Sequence, residues 1–501
     1  MAEEVKSKKS TVKKEDSAES KPRRVVSYTL QDGSVIEMVY DIKSQQAKLA
    51  VFSEGAVRLE DKLKVSDTFW LAPLSNNSLL ESGFLLLPSE AAEYQSNEAL
   101  FLEVRAFIEK YVQLPETFLS VVATYVMMTW LFDRFHNIPY LRVVGLYGTG
   151  KTRVLEAMGH ISYKAILAGG STSTASLFRI LDTYNGTLIF DEAELAEIES
   201  KEMLRILRQG FSANFPVARV ETNAKGQFFP KTFKVFGPKI MASQSKTFDN
   251  ALESRCLSHY MQPVEKSGKP IELSTEFKQE ALALRNKLLM FRFKNLNSTV
   301  ASEEALGAIK LPRLRQTSLA IVSVAKMLGG SSIPHIIEFL QECERELSIE
   351  QSDTVENDLL SCVLSLLVDE PEVKEKGKIR MGSHLAETFN RRNYEDYTNR
   401  ETREINSPTY GVLKYQGMKV SPKKIGVYVR KMGLRVERDG WGFYIPVFTE
   451  YPKIRVLAKR YGLDKVFVLT DDPTKVEEVP VSSEEDDIPQ EWVDEKEKSQ
   501  S

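Results

Sequence analysis

YLRVVGLYGTGKTRVLEAM, residues 140–158, joins an apolar run to an amphipathic one across a glycine-rich turn. Gly145, then after four intervening residues Gly150, Lys151 and Thr152 make the phosphate-loop pattern, in the strand–loop–helix setting that the pattern requires. Gly148 and Gly150 let the backbone wrap so closely that its N–H groups converge on phosphate oxygens. The helix that follows adds the positive end of its dipole. Lys151 is expected to reach the β- and γ-phosphates, and the Thr152 hydroxyl to take a Mg²⁺ position. Gly145, Gly148, Thr149, Gly150, Lys151, Thr152 and Arg153 form the expected nucleotide-binding set.

Such a loop needs a partner carboxylate. NGTLIFDEAEL, residues 185–195, is a turn, a short apolar strand and then Asp191 and Glu192. Buried parallel strands read as continuous apolar runs, and ligands collect at their C-terminal ends. Asp191 is expected to hold Mg²⁺, directly or through water, and Glu192 to orient the attacking water; the alternative is an acidic helix start. PKIMASQ, residues 238–244, is a second apolar strand whose polar end, Ser243 or Gln244, would fall between the first two strands and touch the γ-phosphate or the water. It also reads as an ordinary polar strand terminus. In DNALESRC, residues 249–256, Arg255 either pairs locally with Glu253 or reaches a neighbouring subunit. Strand, turn, helix and strand over residues 139–262 predict an α/β fold with a parallel sheet between helices.

Phosphate loop, acidic strand end, polar strand end and arginine follow in the order of an AAA+ ATPase, which residues 95–350 resemble. The segments IPYLRVVGLYGTGKT, STASLFRILD, GTLIFDEAE, FKVFGPKIMAS and ALESRC are similar to helicase-like replication ATPases of plasmids, phages and integrated elements. The resemblance implies ATP and Mg²⁺ as cofactors, a homo-oligomeric ring of hexamer type, and Arg255 acting in trans as an arginine finger. It also implies a helical lid in which Arg313, or else Arg315, touches the γ-phosphate in cis from LPRLRQTSLAIVSVAKMLGG, residues 311–330. Gln244 departs from the Asn, Thr or Ser usual at the first-sensor position. Between the acidic strand and PKIMASQ, VARVETNAKGQFFPKTFKVF (residues 217–236) alternates around a turn and predicts a β-hairpin. In ring helicases such a hairpin enters the pore, where Lys225 or Lys231 would track phosphates; a plain surface hairpin fits equally.

Farther out, residues 1–24 hold almost no large apolar group and predict a disordered arm. Residues 25–90 alternate as strands, with Asp32-Gly33 as a turn, and predict a small β-rich domain. Residues 91–350 then cover a helical lead-in, the ATPase core and its lid. The run 118–132 is about 15 residues, short of the ~20 that span a bilayer, and predicts a buried helix. Cys256, Cys343 and Cys362 have no paired spacing, the histidines form no metal motif, and no secretory leader is visible, so a reducing, cytoplasmic setting is expected.

The chain of 501 residues carries a net charge of only −3, unevenly distributed. Residues 1–24 carry a net +3, residues 25–371 a net −7, residues 372–465 a net +10 and residues 471–501 a net −9. Within the basic stretch, VSPKKIGVYVRKMGLRVERDGWGFYIPVF (residues 420–448) has Ser421 as N-cap, Pro422 at the first helical position and Gly433 past the helix end. Asp439-Gly440 then turns a hairpin. With the earlier helix in SHLAETFNRRN, residues 351–470 resemble a winged helix. Lys423, Lys424, Tyr428, Arg430, Lys431 and Arg438 are the expected DNA contacts. Residues 471–501 predict a disordered acidic tail, open to a protein partner. The function expected is a ring-forming, ATP-dependent DNA motor in the replication of a mobile element, without a membrane. The alternatives are an ATP-switched DNA-binding regulator or loader, and a protein-remodelling ATPase.

Overall fold

A computed structural model describes residues 22–74, 78–169, 172–191, 201–222, 226–244, 250–262, 268–352, 355–392 and 420–479. The chain divides into two compact units, residues 1–344 and 345–501.

The first unit opens with β1 (Arg23–Val25), β2 (Ser27–Thr29), β3 (Val35–Asp41), β4 (Gln46–Ser53), β5 (Ala56–Glu60), β6 (Leu63–Lys64) and β7 (Trp70–Pro73). Strands β2 to β5 form an antiparallel meander, and β1, β7 and β6 a second small sheet. The Asp32-Gly33 turn is present, with Gly33 at φ 85°, where a side chain would be strained. β1 corrects the expected arm: Arg23 and Arg24 pair with Leu71 and Ala72, and Arg24 donates to the Pro73 carbonyl at 2.8 Å. The boundary expected at residue 90 also shifts. After α1 (Ser78–Glu81), β8 (Leu85–Leu86) pairs with the central sheet described below. Val35, Val39 and Ala50 belong to the same apolar core as the central helices.

Next come α2 (Asn97–Tyr111) and α3 (Glu116–Thr129). Every residue of α3 from Phe118 onward is buried. Among the described residues no helix is long and apolar enough to cross a membrane.

The central sheet follows: β9 (Tyr140–Val144), α4 (Lys151–Gly159), β10 (Ala165–Ala168), α5 (Thr174–Tyr184), β11 (Leu188–Asp191) and α6 (Lys201–Gln209). A hairpin of β12 (Val217–Thr222) and β13 (Phe228–Phe233) intervenes before β14 (Lys239–Ser243), α7 (Asn250–Glu253) and β15 (Cys256–Tyr260). The sheet order is β15-β9-β14-β11-β10-β8, parallel except for β8 at the edge. β9 and β14 are buried at every residue because helices cover both faces. Residues of α3 and α4 fill one core cluster and residues of α5 and α6 the other. The predicted lid is helical: α8 (Thr275–Asn295), α9 (Pro312–Met327) and α10 (Ile333–Ser352).

The second unit holds α11 (Val355–Asp369), α12 (Pro371–Lys376), β16 (Lys378–Arg380) and a π-helical turn at Met381–Ala386 that runs on as helix through Arg392. After residue 420 come α13 (Pro422–Lys431), β17 (Glu437–Asp439), β18 (Gly442–Pro446) and α14 (Val447–Arg460). β16, β18 and β17 make one antiparallel sheet, whose β17–β18 turn is the predicted hairpin. The predicted tail starts too early. β19 (Phe467–Val468) pairs with β20 (Glu477–Glu478), drawing residues 471–479 into the fold by burying Val476 beside Phe467.

Candidate nucleotide site and its arginine face

Val144 ends β9, and two neighbouring strands tie down the loop that leaves it. The Gly145 amide donates to the Ser243 carbonyl at 3.1 Å, and the Met261 amide donates to Val144 at 2.7 Å. A Cβ on Gly145 would lie 2.8 Å from the Thr149 hydroxyl, so only glycine fits. Gly148 and Gly150 adopt φ of 78° and 85°, the left-handed conformation that turns the loop back on itself. Thr149 braces the turn through its Oγ1, which donates to the Leu146 carbonyl at 2.8 Å.

Lys151 is the first residue of α4 and is buried. Its Nζ donates to the carbonyls of Gly145 at 2.7 Å and Leu146 at 2.8 Å. The next residue, Thr152, donates its Oγ1 to Asp191 Oδ2 at 3.2 Å. Thus the hydroxyl and the carboxylate named from separate motifs share one point at the C-terminal end of the sheet. Hydroxyl and carboxylate oxygens are the hard donors that suit Mg²⁺. Glu192 lies outside the described residues.

β14 separates β9 from β11, with Ser243 opposite Val144 and Ala242 opposite Asp191. Its polar end therefore falls between loop and carboxylate, as its sequence predicts. Of the two candidates there, Gln244 is exposed, whereas Ser243 is buried and its Oγ has no hydrogen-bond partner. An orphaned buried hydroxyl costs about 1–3 kcal/mol, so of the two Ser243 is the better-placed candidate for a ligand contact. Arg153 donates to the carbonyls of Pro270 at 3.0 Å and Ile271 at 2.5 Å, strapping the chain beyond β15 to the loop helix.

Arg255 lies at the other end of the sheet. β15 runs parallel to β9 with Cys256 opposite Tyr140, so Arg255 precedes the N-terminal edge. The five residues of β9 at about 3.3 Å each put it about 17 Å from the loop of its own chain. Its guanidinium carbon lies 4.4 Å from the centre of the Phe211 ring. Glu253, the local partner considered from sequence, is gripped by buried Arg142 of β9, which also donates to Ser258 Oγ at 2.9 Å.

The lid arginine is a correction. Arg313 was expected over the γ-phosphate of its own chain, but its guanidinium carbon is 5.5 Å from the same Phe211 ring. The Phe211 carbonyl accepts from the Ile138 amide, two residues before β9, so Arg313 is at the end remote from the loop. Arg315, the alternative, lines a cavity of about 440 Å³ with Arg134, His136 and Asn137, also ahead of β9. The cause is packing. α9 buries Leu314, Ser318, Ile321 and Ala325 in the core shared with α3, which lands its first turn beside residues 134–137. Neither Phe211 nor Arg142 belongs to a motif of the sequence. Arg142 is the one charged residue in the apolar strand YLRVV, which was its signal.

In the β12–β13 hairpin Lys231 pairs with Glu221 at 3.6 Å, and Val220 and Phe228 are exposed; Lys225 lies outside the described residues. In the second unit α13 starts as predicted, with the Lys424 amide donating to Ser421 Oγ at 3.4 Å. Ile425 and Val429 are buried, while Lys423, Lys424, Arg430, Lys431 and Arg438 are exposed and Tyr428 is half-buried. Arg380 of β16, the Trp441 amide and Lys378 of β16 hold Asp439 at the hairpin turn well below the usual carboxylate range. Cys256, Cys343 and Cys362 are free and buried, and no cluster of three metal-ligating side chains occurs among the described residues.

No protein-family model matches the chain, and no curated protein matches its sequence. Among solved structures it is similar to the SCCmec type IV Cch, an active helicase, at 12% identity and a TM-score of 0.38, covering 84% of this chain and 93% of that one. The C-terminal region of NrS-1 gives 12% identity and a TM-score of 0.32, with 82% and 96% covered. A full-length MCM homologue from Methanopyrus kandleri gives 11% and 0.32, with 60% and 68% covered. At these values the likeness is too distant to assign an activity.

Proposed function

We propose that the chain is an AAA+ ATPase that assembles as a ring and uses ATP and Mg²⁺ to drive movement along, or unwinding of, DNA in replication initiation. The supporting observation is the convergence of a glycine-wrapped loop, buried Lys151 and the Thr152–Asp191 pair on one end of a parallel sheet. Bound ATP with Mg²⁺ supplies the transferable phosphoryl group and part of the charge neutralisation. Lys151 exchanges its two loop carbonyls for phosphate oxygens, and the loop amides and α4 dipole orient them. Thr152 and Asp191 would hold the metal, and Ser243 would supply a hydroxyl between them and the loop. Glu192 orients water. Catalysis of this kind is positioning and electrostatics, with little covalent chemistry by the protein.

Arg255 stands about 17 Å of strand away from the loop of its own chain, and Arg313 shares its Phe211 ring at that remote end. They serve the nucleotide of a neighbouring copy, which makes assembly a requirement for turnover. The exposed cations of α13 bind the duplex backbone, a winged-helix use of the helix and its β17–β18 wing.

Strand displacement on a forked duplex tests the proposal. Wild-type protein with ATP and Mg²⁺ separates the strands, and K151A does not. Hydrolysis that proceeds without strand separation or movement on DNA points instead to a switch or loader.

A further inference from the structure

We propose that Phe211 is a positioning residue, which holds Arg255 and Arg313 as one pair for the nucleotide of the neighbouring copy. The proposal rests on the trans reading above and adds the device that shapes the arginine face. The ring is only 7% exposed, with one guanidinium carbon 4.4 Å and the other 5.5 Å from its centre. Both lie within the ~6 Å over which an aromatic quadrupole attracts a cation. Two guanidinium groups brought near each other repel, and each long side chain loses rotamer freedom when fixed. A shared ring offsets both costs and keeps the pair set before a nucleotide arrives.

The backbone that carries the ring is anchored on several sides. The Phe211 carbonyl accepts from the Ile138 amide at 3.0 Å, and Ser212 bridges Asn137. The preceding residue, Gly210, ends α6 with its amide donating to the Ile206 carbonyl at 2.8 Å. The Gly210 carbonyl accepts from the Gly237 amide at 3.1 Å and from Lys239 Nζ at 3.2 Å. Fully buried Lys239 donates to the Val235 and Gly237 carbonyls as well, at 3.0 and 2.9 Å. A Cβ at Gly210 would meet Lys239 Nζ and the Val235 carbonyl at 2.5 Å, so this corner has one backbone path. Phe211 thus presents a rigid face to two long cations from separate elements, one of which, Arg313, also donates to Gln316 Oε1 at 2.9 Å.

The test uses F211L and F211Y in the full chain, with F211M in place of F211L if the leucine variant does not fold. F211L is expected to lose about tenfold or more in ATP turnover, while its affinity for a fluorescent ATP analogue stays within about twofold of wild type. F211Y, which keeps the ring face, is expected to retain turnover. Mixing F211L with K151A subunits should restore activity, because the intact loop of one meets the intact arginine pair of the other. Mixing F211L with R255A should restore none, since both lack the same face. Wild-type turnover in F211L, or equal losses in F211L and F211Y, overturns the proposal. So does a flat F211L/K151A mixture when an R255A/K151A mixture recovers, which leaves the trans reading standing. If the R255A/K151A mixture is flat too, the trans reading itself falls and the proposal with it.

Discussion

Replacing Glu37 with Gln removes one charge from a buried cluster that joins the N-terminal meander to the central sheet. Glu37 sits on β3 at 1% exposure, pairs with Lys164 at 2.8 Å and Arg292 at 2.7 Å, and accepts from the Tyr163 hydroxyl at 2.8 Å. Arg292 also grips Asp133 at 2.6 Å, so two buried cations face two carboxylates. Burial pushes the Lys164 ammonium below its ordinary pKa, the Arg292 charge adds to that, and Glu37 opposes it. E37Q leaves Lys164 without its ion-pair partner in an interior site, where breaking a buried pair costs about 3–5 kcal/mol. The double variant E37Q/K164M removes both charges and leaves Arg292–Asp133 balanced, so it should recover about 2–3 kcal/mol of that loss. Urea unfolding followed by tryptophan fluorescence, in a background with Trp70, Trp441 and Trp492 replaced by Phe, reads the effect, since the Trp130 ring lies 5.3 Å from that of Tyr163 and its carbonyl accepts from Arg292. A loss under about 1 kcal/mol, or a double variant weaker than E37Q, would refute the reasoning.

Three other outcomes follow from the same structure. D191N should lower ATP turnover by about a hundredfold or more while calorimetric binding of metal-free ATP persists; equal loss of both would place Asp191 in folding instead. Burial holds His160 and His259 at about 4, below the ordinary 6.5, so the unfolded chain takes up protons first and stability is lost as pH falls from 6.5 towards 4. H259F, which keeps a ring stacked on Phe118, should flatten that loss by about 1–2 kcal/mol after allowing for partial exposure, and unchanged urea midpoints between pH 7 and 4.5 would contradict it. K423A/K424A should weaken DNA binding at low salt and reduce the slope of log affinity against log salt by about 2, as fluorescence anisotropy reports; an unaltered slope removes these lysines from the phosphate contacts.

The site was legible where chemistry fixes spacing. Glycines, lysine and threonine must be adjacent for a backbone to wrap a phosphate, so residues 145–152 announce the loop in the sequence, and the acidic strand end follows from the need for a metal ligand. Three-dimensional placement was less legible. The position of Arg313 at a helix start says nothing about which end of the sheet that helix reaches; packing of α9 on α3 decides it. In β3, Glu37 looks like the polar position of an alternating strand, but both faces are buried and it meets partners 127 and 255 residues away in sequence. Phe211 belongs to no periodic run, so only the fold reveals that two arginines share it. The order of residues 471–479 was hidden by their charge, since Val476 is the single anchor there that reaches the core.

Steady-state ATP hydrolysis by the full chain with Mg²⁺, titrated with single- and double-stranded DNA across a salt series, tests the central claim most directly. The expected result is turnover that rises several-fold with DNA, loses that rise as salt screens the phosphate contacts, and vanishes in K151A. Hydrolysis indifferent to DNA at every salt concentration, or K151A turning over like wild type, would contradict it.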